Sequence, residues 1–128
     1  MFQKVDYVMV IVSDMRRSVE FYRDKIGLPL KFESPDWTEF QTGDTTLALH
    51  GGGRPRAPRA SADGEAQDAG TCSIGFSVDD LEASYDQLRS RGVTFIMPPT
   101  ERREEGIKLA VALDPDGLPV SFAETERG

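Results

Sequence analysis

An internal repeat is the feature of this chain that most constrains its fold. When Val12 is aligned with Val78, Asp14 falls on Asp80 in the same register. Each copy begins with an apolar run and continues, after an aspartate, into a segment with apolar residues at helical spacing. Because order and register both match, we interpret the chain as a duplicated structural unit.

Each copy contains one predicted helix with recognisable ends. In the first copy, Asp14 is a favourable N-cap, and Gly27 stops the helix where a left-handed residue is needed. In the second copy, Asp79 or Asp80 begins the helix and Gly92 ends it. The apolar residues of each helix recur at spacings of three and four, so each helix is expected to cover one face of a sheet.

The remaining residues of each copy predict four strands, giving the element order β-α-β-β-β twice. Periodicity and turn residues place the strands of the first copy at residues 5–12, 28–32, 37–42 and 45–50. Those of the second copy are predicted at residues 72–78, 93–97, 107–113 and 119–123. We expect Pro98-Pro99 to end the second of these, because proline cannot donate a ladder hydrogen bond.

The repeat predicts one α+β domain, residues 1–128, made of two βαβββ modules in tandem. The modules are placed at residues 3–50 and 71–125, and a flexible linker at 51–70 joins them, because that segment has no large apolar residue. Each module should carry its helix on one face of its sheet. We expect the two bare faces to form a curved mixed sheet with the helices outside and a cup-shaped cavity inside.

Composition argues against several classes of function. The net charge of −7 repels phosphate backbones, so we expect no nucleic-acid partner. No apolar run is long enough to cross a bilayer, and no basic-then-apolar leader is visible, so we expect neither a membrane partner nor secretion. A single cysteine, Cys72, excludes an intrachain disulfide and favours the cytoplasm. A single histidine, His50, excludes sites that need two imidazoles.

Two motifs in this repeat resemble a known superfamily. Residues 12–28 read V-S-D-M-x-x-S-V-x-F-Y-x-D-x-I-G-L, and the turn Asp114-Pro115-Asp116-Gly117 precedes the last strand. With the duplication, they resemble the vicinal oxygen chelate superfamily of glyoxalases, bleomycin-resistance proteins and extradiol dioxygenases. The resemblance covers nearly the whole chain except residues 51–70. It implies a small-molecule site in the cup and a homodimer, but the fold hosts both enzymes and antibiotic binders.

The resemblance also implies where a metal would be held. In metal-dependent members, His, Gln and Glu ligands come from the first and last strands of each module. Residue by residue, those positions fall here on Tyr7, Ala48, Ser73 and Ser121. A phenol, a methyl group and two hydroxyls are poor ligands for Ni, Zn, Fe or Mn, so we expect no metal and no other cofactor. The alternative is a displaced metal site that uses His50, with Glu39 and water.

Alternation along the strands of the first module predicts which side chains line the cup. Tyr7, Met9 and Ile11 alternate with Val8, Val10 and Val12, and the all-valine set suits the helix interface, which leaves Tyr7 and Met9 for the cup. A tryptophan beside a carboxylate, as in Trp37 and Glu39, suits a planar or cationic ligand. The ligand-binding residues predicted in this module are Tyr7, Met9, Trp37, Glu39, Ala48 and His50.

In the second module, the predicted ligand-binding residues are Ser73, Gly75 and Ser121, whose small side chains enlarge the cavity and leave hydroxyls for hydrogen bonds. Structural interpretations stand beside these predictions. His50 is equally well interpreted as an exposed histidine at a strand end, and Trp37 as a core or dimer contact. Tyr7 is also interpreted as a side chain that fills a former metal site and binds nothing.

Two hypotheses about function follow. The first is a small-molecule-binding protein of the glyoxalase and bleomycin-resistance type, which holds a planar or aromatic ligand without a metal. The second is a lyase, isomerase or dioxygenase that uses a displaced metal site or acid-base chemistry at His50, Glu39 and Tyr7. The four unsuitable ligand positions favour the first hypothesis, and the histidine with its candidate carboxylate keeps the second open.

Overall fold

The computed structural model of the chain describes residue 2 and residues 4–55, 72–104 and 106–125. The chain divides into two compact units, Met1–Arg56 and Ala57–Gly128. Most of the predicted linker, from residue 56 to residue 70, lies outside the described residues. The described start of that segment is hydrogen-bonded to the first unit, because Gly51 N–H donates to the Asp36 carbonyl and Gly53 N–H to the Val12 carbonyl.

The first unit contains one sheet and one helical segment, in the predicted order. The helical segment is an α-helix, α1 (Met15–Val19), that continues as a π-helix (Glu20–Ile26). The strands are β1 (Tyr7–Ile11), β2 (Leu30–Glu33), β3 (Trp37–Thr42) and β4 (Thr45–His50). They lie in the order β1-β4-β3-β2, with β1 parallel to β4 and the other neighbours antiparallel.

The second unit repeats this topology. Its helix is α2 (Leu81–Ser90), and its strands are β5 (Ile74–Ser77), β6 (Thr94–Arg102), β7 (Ile107–Leu113) and β8 (Pro119–Thr125). The strand order is β5-β8-β7-β6, with β5 parallel to β8. Each strand therefore occupies the same place as its counterpart in the first sheet. This confirms the predicted pair of βαβββ modules and the α+β class.

Equivalent aspartates cap the two helices. The Asp14 side chain accepts a hydrogen bond from Arg17 N–H at 3.1 Å, and the Asp80 side chain accepts one from Ala83 N–H at the same distance. Asp80 rather than Asp79 is therefore the N-cap of α2. At the other end of the first helix, Gly27 adopts a φ of 93°, which a residue with a β-carbon rarely does.

The helix of the first unit covers one face of its sheet. Tyr22 is fully buried, and its ring lies 6.1 Å from that of Phe40 on β3. Val10, Phe40, Leu47 and Leu49 are buried on the same face. Each of these apolar side chains contributes about 1.5–3 kcal/mol on full burial. The packed face fixes the register of the strands and therefore determines which side chains the opposite face carries.

Three details differ from the sequence predictions. The prediction that Pro98-Pro99 end a strand is wrong, because β6 runs through both prolines with two register shifts. β6 is an edge strand, so the missing N–H groups need not break its ladder with β7. The first helix is not a uniform α-helix, since its last seven residues are π-helical. β5 begins at Ile74, so Ser73 precedes the strand in which it was predicted.

In the described part of the chain, no helix combines the length and the apolar character that crossing a bilayer requires.

Candidate functional site

The face of the first sheet that points away from its helix carries most of the predicted ligand-binding residues. We call it the open face. It displays alternate residues of three strands: Tyr7, Met9 and Ile11 of β1; Trp37, Glu39 and Gln41 of β3; Thr46, Ala48 and His50 of β4. Along β1, Tyr7 is 54%, Met9 42% and Val8 37% exposed, whereas Val10 is only 8% exposed. Val10 is buried, as predicted for a helix-facing position, but Val8, which has the same orientation, is exposed.

Three aromatic rings meet on the open face. The Trp37 ring lies 6.1 Å from that of Tyr7 and 6.1 Å from that of His50, and both pairs are close to perpendicular. Trp37 and His50 are direct partners in the β3–β4 ladder. Tyr7 reaches the indole from the other side of the row formed by Met9, Ala48 and Glu39. We call Tyr7, Trp37 and His50 the aromatic cluster.

Ala48 is fully buried, although it belongs to the open face. Its partners in the adjacent strands are Met9 and Glu39, which are both larger. A methyl group between two long side chains and below converging rings has no access to solvent. Ala48 therefore forms the floor under the aromatic cluster, and it offers a ligand little surface of its own.

The orientation of Trp37 is held by a carboxylate. The indole Nε1–H donates to Glu39 Oε2 at 2.7 Å, a short charge-assisted hydrogen bond between residues on the same face of β3. Because this bond satisfies the indole's only polar group, the rest of the ring presents apolar surface. A hydrogen bond between residues two apart on one strand also limits the rotamers of both side chains.

A lysine that the sequence analysis did not single out completes the polar part of the open face. Lys31 Nζ donates to Thr46 Oγ1 at 3.0 Å and lies 3.8 Å from Glu39 Oε1. It extends from β2 past β3 to β4, at a point where β2 shifts register between Leu30 and Phe32. Both oxygens of Glu39 are therefore engaged, one by Trp37 and one by Lys31.

His50 lies at the exposed end of β4. Its Nδ1 is 2.7 Å from the Gly51 carbonyl oxygen. A carbonyl oxygen only accepts, so the proton is assigned to Nδ1, and Nε2 of the neutral ring is a hydrogen-bond acceptor. The strand end is anchored by Val12 N–H, which donates to the His50 carbonyl at 2.8 Å.

The predicted site residues of the second module lie in the second unit. Gly75 and Ser121 are direct partners in the β5–β8 ladder, so a hydroxyl stands beside a position that has no side chain. A β-carbon added at Gly75 would meet no atom within 4 Å. Ser73 is exposed and lies just before β5. These three residues belong to the second unit, whereas the aromatic cluster is built from residues 7–50 of the first unit.

The side chains at the four positions that the resemblance implies for metal ligands are poor donors in each unit. Tyr7 belongs to the aromatic cluster, Ala48 to its floor, and Ser73 and Ser121 are neutral hydroxyls. Among the described residues, no group of three or more His, Cys, Asp or Glu side chains is placed to hold a metal ion. In the displaced site, Glu39 would first have to release Trp37 and Lys31.

Comparison with known proteins places this structure among its relatives. Residues 4–122 match the family model of the Glyoxalase/Bleomycin resistance protein/Dioxygenase superfamily. The uncharacterised protein YraH of Bacillus subtilis (strain 168) is 30% identical over 119 residues, which cover 88% of this chain and 91% of YraH. A probable lactoylglutathione lyase of Synechocystis sp. is 24% identical over 126 residues, or 93% of each chain.

A solved structure shows the same fold. TnmS3, an antibiotic-binding protein from Streptomyces sp. CB03234, superposes with a TM-score of 0.74 at 24% identity, covering 98% of both chains. At this identity the likeness concerns the fold. Together, the family match, the relatives and the duplicated βαβββ topology show that this chain belongs to the Glyoxalase/Bleomycin resistance protein/Dioxygenase superfamily.

Proposed function

We propose that this chain is a small-molecule-binding protein that holds a planar or aromatic ligand against the aromatic cluster. The observation that carries the proposal is the geometry of Trp37, whose ring contacts two aromatic neighbours edge to face while Glu39 fixes its plane. An indole held in this way is preorganised, so a flat ligand that packs against it need not pay for ordering the ring.

The surroundings of the aromatic cluster are apolar enough to favour such a ligand. Met9, Ile11 and Phe32 are 42%, 51% and 53% exposed. Large apolar side chains grouped on one face commonly mark a place where another molecule binds. TnmS3, which has the same fold, binds an antibiotic, and this supports the use of the fold for sequestering a small molecule.

Trp37 is the only tryptophan of the chain, which gives a direct test. We expect some planar aromatic compounds in a thermal-shift screen to raise Tm, and Trp37→Leu and His50→Ala to remove most of that shift. Tyr85→Leu is the matched control, because Tyr85 packs on Phe95 in the second unit. The proposal fails if no compound stabilises the protein, or if Trp37→Leu and Tyr85→Leu have the same effect.

A second candidate function is catalysis, and the tautomer of His50 favours it. With the proton on Nδ1, Nε2 is able to accept a proton from a bound substrate. The similarity to a probable lactoylglutathione lyase is consistent with this alternative. The enzyme hypothesis predicts turnover of hemithioacetal to lactoylglutathione, or another lyase, isomerase or dioxygenase activity, that His50→Ala abolishes. The assay should be run with and without added Ni, Zn, Mn and Fe.

We further propose that the protein acts as a homodimer in the cytoplasm. Val5, just before β1, and Leu30 of β2 are exposed apolar side chains that the ligand site does not use, and they support the burial of part of the surface against a second copy. The lone cysteine is in keeping with a reducing compartment. Sedimentation equilibrium should give twice the chain mass of 14.1 kDa, and a monomer at micromolar concentration would contradict the dimer.

A further inference from the structure

We infer that the planar ligand carries an anionic group and that Lys31 binds it. This inference rests on the proposed function, and it specifies the chemistry of the ligand for the same site. A tryptophan next to a carboxylate suggests a cation from the sequence alone. The position of Lys31 reverses that expectation.

Both carboxylate oxygens of Glu39 already have partners. Its Oε2 accepts the Trp37 Nε1–H bond, and its Oε1 faces Lys31 Nζ at 3.8 Å. A cationic ligand would have to displace the lysine from the carboxylate. The attraction that the ligand gained would only replace the attraction that the lysine lost. The carboxylate is therefore already engaged by Trp37 and Lys31 and is not free to attract a positive charge.

The ammonium group of Lys31 lies on the open face near Tyr7. Lys31 Nζ donates to Thr46 Oγ1, and Thr46 is the ladder partner of Tyr7. The ammonium group therefore lies one strand away from Tyr7, on the same side of the sheet as the Tyr7–Trp37 ring pair. Its side chain is 42% exposed, so it can still meet a ligand. An ammonium group has three donor hydrogens. Thr46 accepts one of them, and Glu39 forms only a longer ion pair, so the group can still donate to a ligand.

The two ends of the open face therefore favour different chemical groups on the ligand. At the Thr46 end, the ammonium suits a carboxylate, sulfonate or phenolate. At the His50 end, Nδ1 faces the Gly51 carbonyl, which leaves Nε2 to contact a hydroxyl or amide group of the ligand. Thr46 and His50 are four residues apart on β4, or about 13 Å at the usual strand rise. Because this backbone span exceeds the length of a bicyclic ring system, only an extended aromatic acid would reach both ends, whereas a bicyclic acid bound at Lys31 would use the Thr46 end.

Equilibrium dialysis with three matched probes tests the inference: 2-naphthoate, neutral 2-naphthamide and cationic 2-naphthylmethylammonium. We expect 2-naphthoate to bind about fivefold more tightly than 2-naphthamide, the upper range for a partly exposed ion pair, and the ammonium to bind most weakly. Lys31→Gln should remove the preference and Lys31→Arg should keep it. Lys25→Gln, which removes the same charge from the helix on the other side of the sheet, should also keep it.

Glu39→Gln should change the affinity for 2-naphthoate in the direction opposite to Lys31→Gln. It frees Lys31 from its ion pair, so 2-naphthoate binding should strengthen two- to fivefold. If 2-naphthamide binds as well as 2-naphthoate, if the ammonium binds best, or if Lys31→Gln keeps the preference, the anion inference is wrong while the proposed function stands. If none of the three probes binds, the anion inference is wrong, and if the thermal-shift screen also yields no stabilising compound, the proposed function fails with it. Circular dichroism of each variant confirms that it is folded.

Discussion

The hydrogen bond between Trp37 and Glu39 makes a prediction that can be measured without knowing the ligand. Glu39 Oε2 accepts the indole N–H at 2.7 Å, and the Glu39 side chain is 31% exposed. Hydrogen bonds to charged groups contribute about 1.5–3 kcal/mol, and partial exposure reduces this. We therefore expect a coupling free energy of about 1 kcal/mol between the two side chains.

A double-mutant cycle isolates that coupling. Trp37→Phe removes the donor but keeps an aromatic ring, and Glu39→Ala removes the acceptor together with the ion pair to Lys31. The lost ion pair is common to both Glu39→Ala proteins, so it cancels in the cycle. Urea unfolding of the four proteins gives the free energies of unfolding, followed by far-UV circular dichroism because two variants lack the tryptophan.

The reasoning is refuted if the coupling lies within about 0.3 kcal/mol of zero, the usual scatter of additive substitutions. A second readout is the fluorescence of Trp37 in the Glu39→Ala protein. We expect its emission to move to longer wavelength, because an indole released from the carboxylate is more hydrated. An unchanged emission together with zero coupling would show that the carboxylate does not orient the ring.

Three further predictions concern the fold of the two units. Gly53→Ala should destabilise the protein by about 1–3 kcal/mol in urea unfolding, since the new β-carbon would lie 2.7 Å from the Ile11 side chain. Gly75→Ala, where a β-carbon meets nothing, should cost less than about 0.5 kcal/mol, and equal losses would contradict the packing at residue 53. Asp80→Ala should cost about 1 kcal/mol through loss of the N-cap of α2, whereas Asp79→Ala should cost much less; the reverse order would refute the cap assignment. Ser18→Ala should be neutral or stabilise by up to about 1 kcal/mol, because the buried Ser18 hydroxyl has no hydrogen-bond partner among the described residues; a loss above about 1 kcal/mol would contradict this.

Most of the fold could be predicted from the sequence, because local signals and the repeat agree. Asp14 and Gly27 mark the ends of the first helix, and both are observed as its caps. The strands predicted at residues 37–42 and 45–50 have the observed bounds. Pro98-Pro99 misled the prediction because the cost of proline depends on whether the strand is at an edge, which only the strand order reveals.

The candidate site was predictable only in part. Alternation correctly indicated that Trp37 and Glu39 share a face, and the structure adds the hydrogen bond between them. Lys31 could not be found in this way, because a register shift in β2 decides which face its side chain reaches. The ladder partner of Glu39 in β2 is Phe32, so the pairing of β2 with β3 does not by itself set Lys31 opposite Glu39. The two charges meet at an irregularity of β2 that the sequence does not reveal.

The central claim is that a planar ligand packs against Trp37. Because the chain has one tryptophan, its ¹⁵N–¹H spectrum has one indole Nε1–H resonance, which needs no further assignment. We predict that 2-naphthoate shifts this resonance, with the same dissociation constant as that measured by dialysis. Binding of 2-naphthoate with an unmoved indole resonance would contradict the account, because the ligand would then be held elsewhere on the protein.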